Sequence, residues 1–365
     1  MDNLIFKKID IRAVNVPLNK PIIAHLGTFE KWPFLCVDIY TNSNFVGKSY
    51  IGPYLVDQLP TIAKCIEALS KSFIDKSIKP FNFFQDGLKK ISLLGYQGIG
   101  LYALSALDIA FWDVYAKAAN LPLAVLLGSE LKPIKAYNSK GLWLIPLDKI
   151  EKEINDLLHN GSFNALKVRI GRSKLKDDQV VIEKIKKIGG TDLHIMSDFN
   201  QCYDFDTALK RMYELDDYGL YWFEEPINYR NLKDCSKLSQ LIKTPITIGE
   251  NFHGPYDLIE AINKNASDYI MPDLMRIGGI SGWLKAANIA EAYNLKFSTH
   301  LFPEVSAHLM NLTPTAHWLE WVDWADPILQ DTGFKINNGE YYIPNIPGTG
   351  VEWNEKNIEI YKVNI

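Results

Sequence analysis

Apolar and polar residues alternate over residues 4–16 and 34–41, the two-residue period of strands with one buried face. Between them PIIAHLGTFEKW, with its Pro and Gly signals, reads as a long loop, a place where function often sits. After residue 55 the period changes to that of helices: TIAKCIEALSKSF, NFFQDGLKKISLL, then LYALSALDIAFWDVYAKAAN. The third is apolar on every side and rich in small and aromatic residues, which predicts a buried helix. Residues 1–131 therefore read as an α+β unit.

From Lys132 the pattern becomes a repeat of short apolar strands and amphipathic helices. The strands are IKAYNS, ALKVRI, LHIMSD, LYWFEE, ITIGE, DYIMP and KFSTH, with helices such as DDQVVIEKIKKIGG between them. Polar residues end nearly every strand. A doubly wound open sheet gathers its ligands at one crossover, whereas a closed (β/α) barrel presents all its strand ends on one face. A barrel over 132–349 is the expectation, with the strand-like segment 350–365 pairing back onto the first unit.

Composition narrows the partners. A formal charge of −4, from 39 Lys and Arg against 43 Asp and Glu, offers no basic excess for nucleic acid or an anionic membrane surface. The amino terminus MDNLIFKKIDIRAVNVPL carries charges throughout and lacks the apolar run of a signal peptide, and no segment reads as a membrane span. Cys36, Cys65, Cys202 and Cys235 are scattered without a CxxC pair, which points to free thiols in a reducing cytoplasm and argues against cysteine-held zinc.

The strand ends carry the chemistry. Asp198, Glu224 and Glu250 each close a strand and recur at an interval of about 26 residues, the pitch of barrel units. One acidic residue at a strand end is an ordinary turn former, but a regular series converging on one face is a site for a hard, oxygen-preferring cation such as Mg²⁺. Lys167 and Arg169, two apart on a strand, share a face and so enter the barrel together. Inside, they need anions: these carboxylates and, by extension, a carboxylate substrate. Asp273 and His300 end adjacent strands, an arrangement that lets the carboxylate orient the imidazole as a general base. Glu320, between apolar residues and Trp321, is expected to be buried, raised in pKa and protonated, able to donate to an oxyanion. Strand alternation turns Glu225 away from the cavity, and His253, His308 and His317 read as structural. GYQGIG and IGGISG lack the order or the ending of phosphate-binding loops, and neither GxSxG nor HExxH occurs.

The segments IDIRAVNVPL, LKVRIG, SDFNQ, FEEP, GENFHGP, MPDLMRIGGISGW and SAHLMNLTPTAHWLE together resemble the mandelate racemase subgroup of the enolase superfamily over almost the whole chain. The resemblance implies an N-terminal α+β capping domain over a (β/α)7β modified TIM barrel. It implies Mg²⁺ on Asp198, Glu224 and Glu250, with Asp273–His300 as a base and Lys167 neutralising the substrate carboxylate. It further implies Glu320 as donor to that carboxylate's other oxygen, and Asn200 and Ser139 as hydrogen-bond partners of the acid. Ile22, Leu26 and Phe29 fall in the family's capping loop and, with Tyr54, where specificity resides; a homo-oligomer, commonly an octamer, is also implied.

Arg169 departs from this pattern, because family racemases carry there a second Lys that serves as the base opposite His300. Arginine stays protonated near neutral pH and is a poor proton acceptor. Three functions follow for a small carboxylate substrate. The first is racemisation or epimerisation of a 2-hydroxycarboxylate by α-proton abstraction through an enediolate, which an apolar lid suits. The second is dehydration of an acid sugar with His300 as sole base, and the third is carboxylate binding without turnover.

Overall fold

The computed structural model describes residues 4–159 and 163–365. The amino-terminal alternation becomes strand over a longer stretch than the sequence pattern indicates. β1 (Phe6–Ala24) and β2 (Gly27–Thr41) form one antiparallel hairpin, with β3 (Val46–Ile51) on the far edge of β2. The segment read as a long loop is thus the hairpin's outer half, pairing Ile22 with Phe29 and Ala24 with Gly27. Its register breaks between Pro17 and Ile22, where two prolines withhold N–H donors, and Gly27 turns the chain at a φ of 135°. The tip leans on the other domain: Leu144 N donates to Ile23 O at 2.9 Å. Gly171 leaves room for the imidazole of His25, since a Cβ there would fall 2.7 Å from Nε2.

Helices α1 (Leu59–Ser70), α2 (Pro80–Ile91) and α3 (Ile99–Ala118) pack against this sheet. Contrary to the sequence expectation, α3 is long and apolar enough by length and composition to cross a membrane, but 78% of its apolar window lies inside the protein. Its two acids act as internal ties. Asp108 accepts from Ser281 N and Oγ at 2.8 and 2.6 Å, and Asp113 accepts from Lys48 N and Thr349 N at 2.8 and 2.7 Å. Such buried carboxylates persist because every oxygen finds a donor.

After the short α4 (Leu123–Leu126) come eight parallel strands, β4 (Ile134–Asn138), β5 (Ala165–Arg169), β6 (His194–Asp198), β7 (Trp222–Glu224), β8 (Ile246–Ile248), β9 (Tyr269–Ile270), β10 (Lys296–Phe297) and β11 (Leu319–Trp321). The intervening helices are α5 (Ile150–His159), α6 (Leu175–Gly189), α7 (Phe205–Leu215), α8 (Leu232–Leu241), α9 (Pro255–Asn263), α10 (Leu274–Ile277), α11 (Gly279–Ala292) and α12 (Pro303–Met310). Strands pair in chain order from β4 to β10, β11 pairs with β4, and Phe297 N to Thr315 O at 2.9 Å with Thr299 N to Trp318 O at 3.0 Å closes the ring. The result is the modified (β/α)7β barrel under an α+β cap. Tyr137, Ala165, Met196, Trp222 and Trp318 plug its interior, so polar side chains collect only beyond them, at the strand exits.

A hairpin, β12 (Lys335–Asn337) and β13 (Glu340–Tyr342), runs antiparallel to the start of β4. The last segment does return to the cap, but as helix α13 (Glu355–Tyr361) rather than as a strand, because Asn354 accepts from Asn357 N and starts a helical turn. Arg12 pairs with Asp38 and Glu355, Trp353 Nε1 donates to Asp38 Oδ1 at 2.7 Å, and Val363 N donates to Ala13 O at 2.9 Å.

His308 illustrates a packed histidine. Its Nδ1 accepts from Ala124 N and its Nε2 donates to Thr349 O, both at 3.2 Å, so the neutral ring is fully used. Burial lowers its pKa to about 4, which means the unfolded chain takes up the proton first as pH falls. Stability from this site should be complete above the ordinary imidazole pKa and decline towards pH 4, by an amount on the order of 3 kcal/mol. Urea unfolding at pH 7 and pH 4.5 checks this: His308→Gln is expected to remove a substantial part of the pH dependence seen in the unmodified protein.

Candidate active site

Seven consecutive strands deliver charge to one end of the barrel. Lys167 and Arg169 stand on β5, Asp198 ends β6, Glu224 ends β7, and Glu250 follows β8, with Asp198 and Glu224 in register as paired neighbours. Asp273 and His300 lie just past β9 and β10 and form a parallel bridge, and Glu320 lies on β11. All are nine-tenths buried or nearly so. The exits are tight: Asn200, Glu225, Leu301 and Phe302 adopt left-handed φ of 46°, 40°, 52° and 52°, strain of the kind that accumulates at functional sites.

Lys167 is the hub. Its Nζ lies 2.6 Å from Glu320 Oε1, 2.9 Å from Glu224 Oε1 and 3.6 Å from Asp198 Oδ2. Burial alone would lower the ammonium's pKa, but Glu224 and Glu320 outweigh it and raise it. Glu320 corrects the expectation of a protonated acid. Burial pushes it up, yet Lys167, His300 and Arg169 together hold it well below the usual carboxylate range. Both its oxygens accept: Oε1 from Ser139 Oγ at 2.6 Å, Oε2 from Leu301 N at 3.0 Å. A pKa argument from apolar neighbours alone could not anticipate a cation arriving from a strand 153 residues earlier (320 − 167).

Arg169 and His300 flank opposite ends of the carboxylate row. Arg169 Nη1 donates to Ser139 O at 2.8 Å and Nη2 to Ser139 Oγ at 3.0 Å, Nε stands 3.7 Å from Asp198, and the guanidinium lies 3.7 Å above the Trp143 ring. It is a clamped, stacked cation. At the other end His300 Nδ1 is 2.8 Å from Asp273 Oδ2, while Nε2 faces Glu250 at 3.5 Å and Glu320 at 4.0 Å. Burial works against the charged ring, but Glu250, Glu320 and Asp273 lift its pKa to about 9.

Other predicted residues fall as follows. Asn200 donates from N and Nδ2 to Asp198 at 2.8 and 3.0 Å. Ser139 bridges Arg169 and Glu320. Glu225, instead of turning clear of the cluster, is carried by its left-handed backbone beneath Glu250, where Asn251 Nδ2 donates to Glu225 at 2.8 Å and to Glu250 at 3.2 Å. Ile22 is buried, Phe29 half-buried, and Leu26 sits at the hairpin tip, 80% exposed. The Tyr54 hydroxyl is buried without a hydrogen-bond partner, below the Arg276 guanidinium. Sequence reasoning named Tyr54 but missed the three tryptophans that extend it into an aromatic roof: Trp143, Trp324, Trp32 and Tyr54 follow one another with ring centroids 6.3, 4.6 and 4.9 Å apart. Besides Tyr54, a signal was Trp32 inside the quoted capping segment.

Among the described residues no three His, Cys, Asp or Glu side chains already stand in a metal-holding arrangement, because Lys167 occupies the middle of the row. The donors nevertheless suit a hard cation. Glu224 Oε2 is fully buried with no hydrogen-bond partner, and burial with Asp198 and Glu320 raises that carboxyl well above its ordinary range despite Lys167. The row of carboxylates is therefore short of positive charge around Glu224.

A capping domain over a barrel with acids at three successive strand exits defines a class, and the comparisons agree. Residues 7–128 match the N-terminal domain of the mandelate racemase / muconate lactonizing enzyme family, and 149–357 match the enolase C-terminal domain-like model. The chain belongs to the mandelate racemase / muconate lactonizing enzyme group of the enolase superfamily. It is 31% identical to L-talarate/galactarate dehydratase of Salmonella typhimurium, over 72% of this chain and 66% of that enzyme, just under two thirds of its length. Among solved structures it is similar to an enolase from alpha pretobacterium bal199 with bound Mg (39% identity, TM-score 0.97, 99% and 100% of the two chains). It is also similar to an enolase from Bradyrhizobium complexed with magnesium and mandelic acid (34% identity, TM-score 0.95, 100% of both). Dehydratases, cycloisomerases and an epimerase are all among its relatives.

Replacing Lys167 by Met should leave Glu224 and Glu320 buried without their cation. Guanidinium unfolding without added metal is expected to show a loss of about 3–5 kcal/mol, and added Mg²⁺ should restore part of it.

Proposed function

We propose that this protein removes the proton α to the carboxylate of a 2,3-dihydroxy acid with His300 as its single base and expels the β-hydroxyl as water, a hydro-lyase reaction. The observation that carries the reading is the clamped state of Arg169: its guanidinium donates to Ser139 and stacks on Trp143, so the position opposite His300 holds a fixed cation rather than a second proton acceptor. Acid-sugar dehydratases among the relatives support it.

Asp198, Glu224 and Glu250 would hold Mg²⁺, which when bound supplies positive charge to the substrate carboxylate as the α-carbon ionises. Lys167 neutralises the same carboxylate from β5, and Asn200 and Ser139 orient it. His300, kept in one tautomer by Asp273, takes the α-proton on Nε2. The carboxylates facing that nitrogen raise its pKa, so once Glu250 is engaged elsewhere the ring returns towards neutrality and can accept. The imidazolium then gives the proton to the departing β-hydroxyl, and the enol becomes the 2-keto acid. The roof of Trp143, Trp324, Trp32 and Tyr54 suits a substrate whose far end is apolar.

Racemisation or epimerisation of a 2-hydroxycarboxylate is the second reading, favoured by that aromatic roof and by the structural neighbour complexed with mandelic acid, which has no β-hydroxyl to lose. It would need Arg169 to exchange a proton. Incubation of 2-hydroxy and 2,3-dihydroxy acids with the protein and Mg²⁺ in D₂O separates the two. Formation of 2-keto acid, with no inversion at the α-carbon of either enantiomer, is expected, and inversion without keto product would overturn the proposal. His300→Asn should lower turnover by about 10²–10⁴-fold, and Arg169→Lys should introduce inversion that the unmodified protein lacks.

A further inference from the structure

The turns that follow β6, β7, β8 and β9 are joined by a chain of hydrogen bonds that runs alongside the carboxylate row. Gln201 Nε2 donates to Glu225 Oε2 at 2.6 Å, and both Glu225 oxygens accept from Asn251 Nδ2, at 2.8 and 2.9 Å. Arg276 Nη1 donates to Asn251 Oδ1 at 2.8 Å and to Glu250 O at 3.0 Å. These partners fix the Asn251 amide, because a guanidinium only donates and a carboxylate accepts. Turned over, the amide would set its oxygen against Glu225 and its nitrogen against Arg276. Held this way, Asn251 Nδ2 also reaches Glu250 Oε1 at 3.2 Å, while Glu250 Oε2 faces His300 Nε2 at 3.5 Å. Arg276 is rooted beside the base: its backbone N donates to Asp273 Oδ1 at 3.0 Å, and its guanidinium lies 4.8 Å from the centre of the Tyr54 ring.

We propose that Asn251 and Arg276 form a clasp that positions Glu250 as a ligand for Mg²⁺. Asn251 acts through its bond to the Glu250 carboxylate, and Arg276 acts by orienting Asn251 and holding the Glu250 backbone. The role depends on the metal site proposed above for Asp198, Glu224 and Glu250. A free glutamate side chain loses rotamer freedom when it takes an ion, whereas one already bonded on a carboxylate oxygen has lost that freedom beforehand. Partners that orient a ligand in this way are worth about 10–100-fold in metal affinity. Glu225, with both oxygens taken up by Asn251 and Gln201, serves as the anchor of the clasp rather than as a ligand.

Calorimetric titration of Mg²⁺ into the full chain tests the clasp, with metal-free urea midpoints reporting on folding separately. Asn251→Ala is expected to weaken Mg²⁺ binding about tenfold or more, and Arg276→Lys, which keeps the charge but not the planar fork, several-fold. Asn251→Asp separates position from charge. A carboxylate added beside Glu250 would by charge alone draw Mg²⁺ more tightly, whereas loss of the amide donor weakens binding, and weakening of about tenfold is expected. Asn251 stands half-buried in the turn after β8, so its variants decide the matter even where Arg276→Lys fails to fold. Unchanged affinity in Asn251→Ala or in a folded Arg276→Lys, or tighter binding in Asn251→Asp, would overturn the clasp and leave the metal site standing. Absence of Mg²⁺ binding by the unmodified protein would overturn both.

Discussion

One buried ammonium balances the whole barrel mouth. Lys167 stands within salt-bridge reach of Asp198, Glu224 and Glu320, each delivered by a different strand and none more than 1% exposed. Carboxylates gathered this closely repel one another, and without a cation they would protonate or force the strands apart. The plug of Tyr137, Trp222 and their neighbours beneath Lys167 keeps water from relieving that repulsion from below. The orphaned oxygen of Glu224 shows that one lysine is not enough. The same shortage that costs stability is what prepares the site for a divalent ion.

The two ends of the carboxylate row differ in kind. His300 is held by Asp273 and turns its other nitrogen towards Glu250, whereas Arg169 donates from both Nη atoms to the backbone and hydroxyl of Ser139 and lays its flat face on Trp143. One end offers an imidazole that faces the pocket, the other a guanidinium fixed in place. This asymmetry belongs to the site rather than to the barrel, which the superfamily's members share.

The cap is fastened to the barrel by buried polar ties: Asp108 to Ser281, Asp113 to Thr349 and Tyr50 to Glu304. The outer half of the β1–β2 hairpin, bonded to Leu144 and leaning on Gly171, brings Ile22 and Phe29 over the strand exits. The placement of the hairpin therefore depends on a joint whose members lie far apart in the chain.

The barrel, the order of its units and the carboxylate series were legible in the sequence because strand periodicity and the 26-residue pitch are local, repeated signals. The pairing of Asp273 with His300 was legible too, since adjacent strands must bring their ends together. The hairpin read as a loop, the terminal helix read as a strand and the ionised Glu320 were not, for one shared reason. A proline-broken register held by contact with Leu144, a segment shaped by its cap and by Arg12, and a carboxylate governed by Lys167 all depend on partners distant in sequence. Residue types and their spacing determined which groups reach the barrel mouth. Only the tertiary structure decided which of them pair, which stay charged and which are clamped, because electrostatics in a buried site depends on distances that the order of residues does not contain.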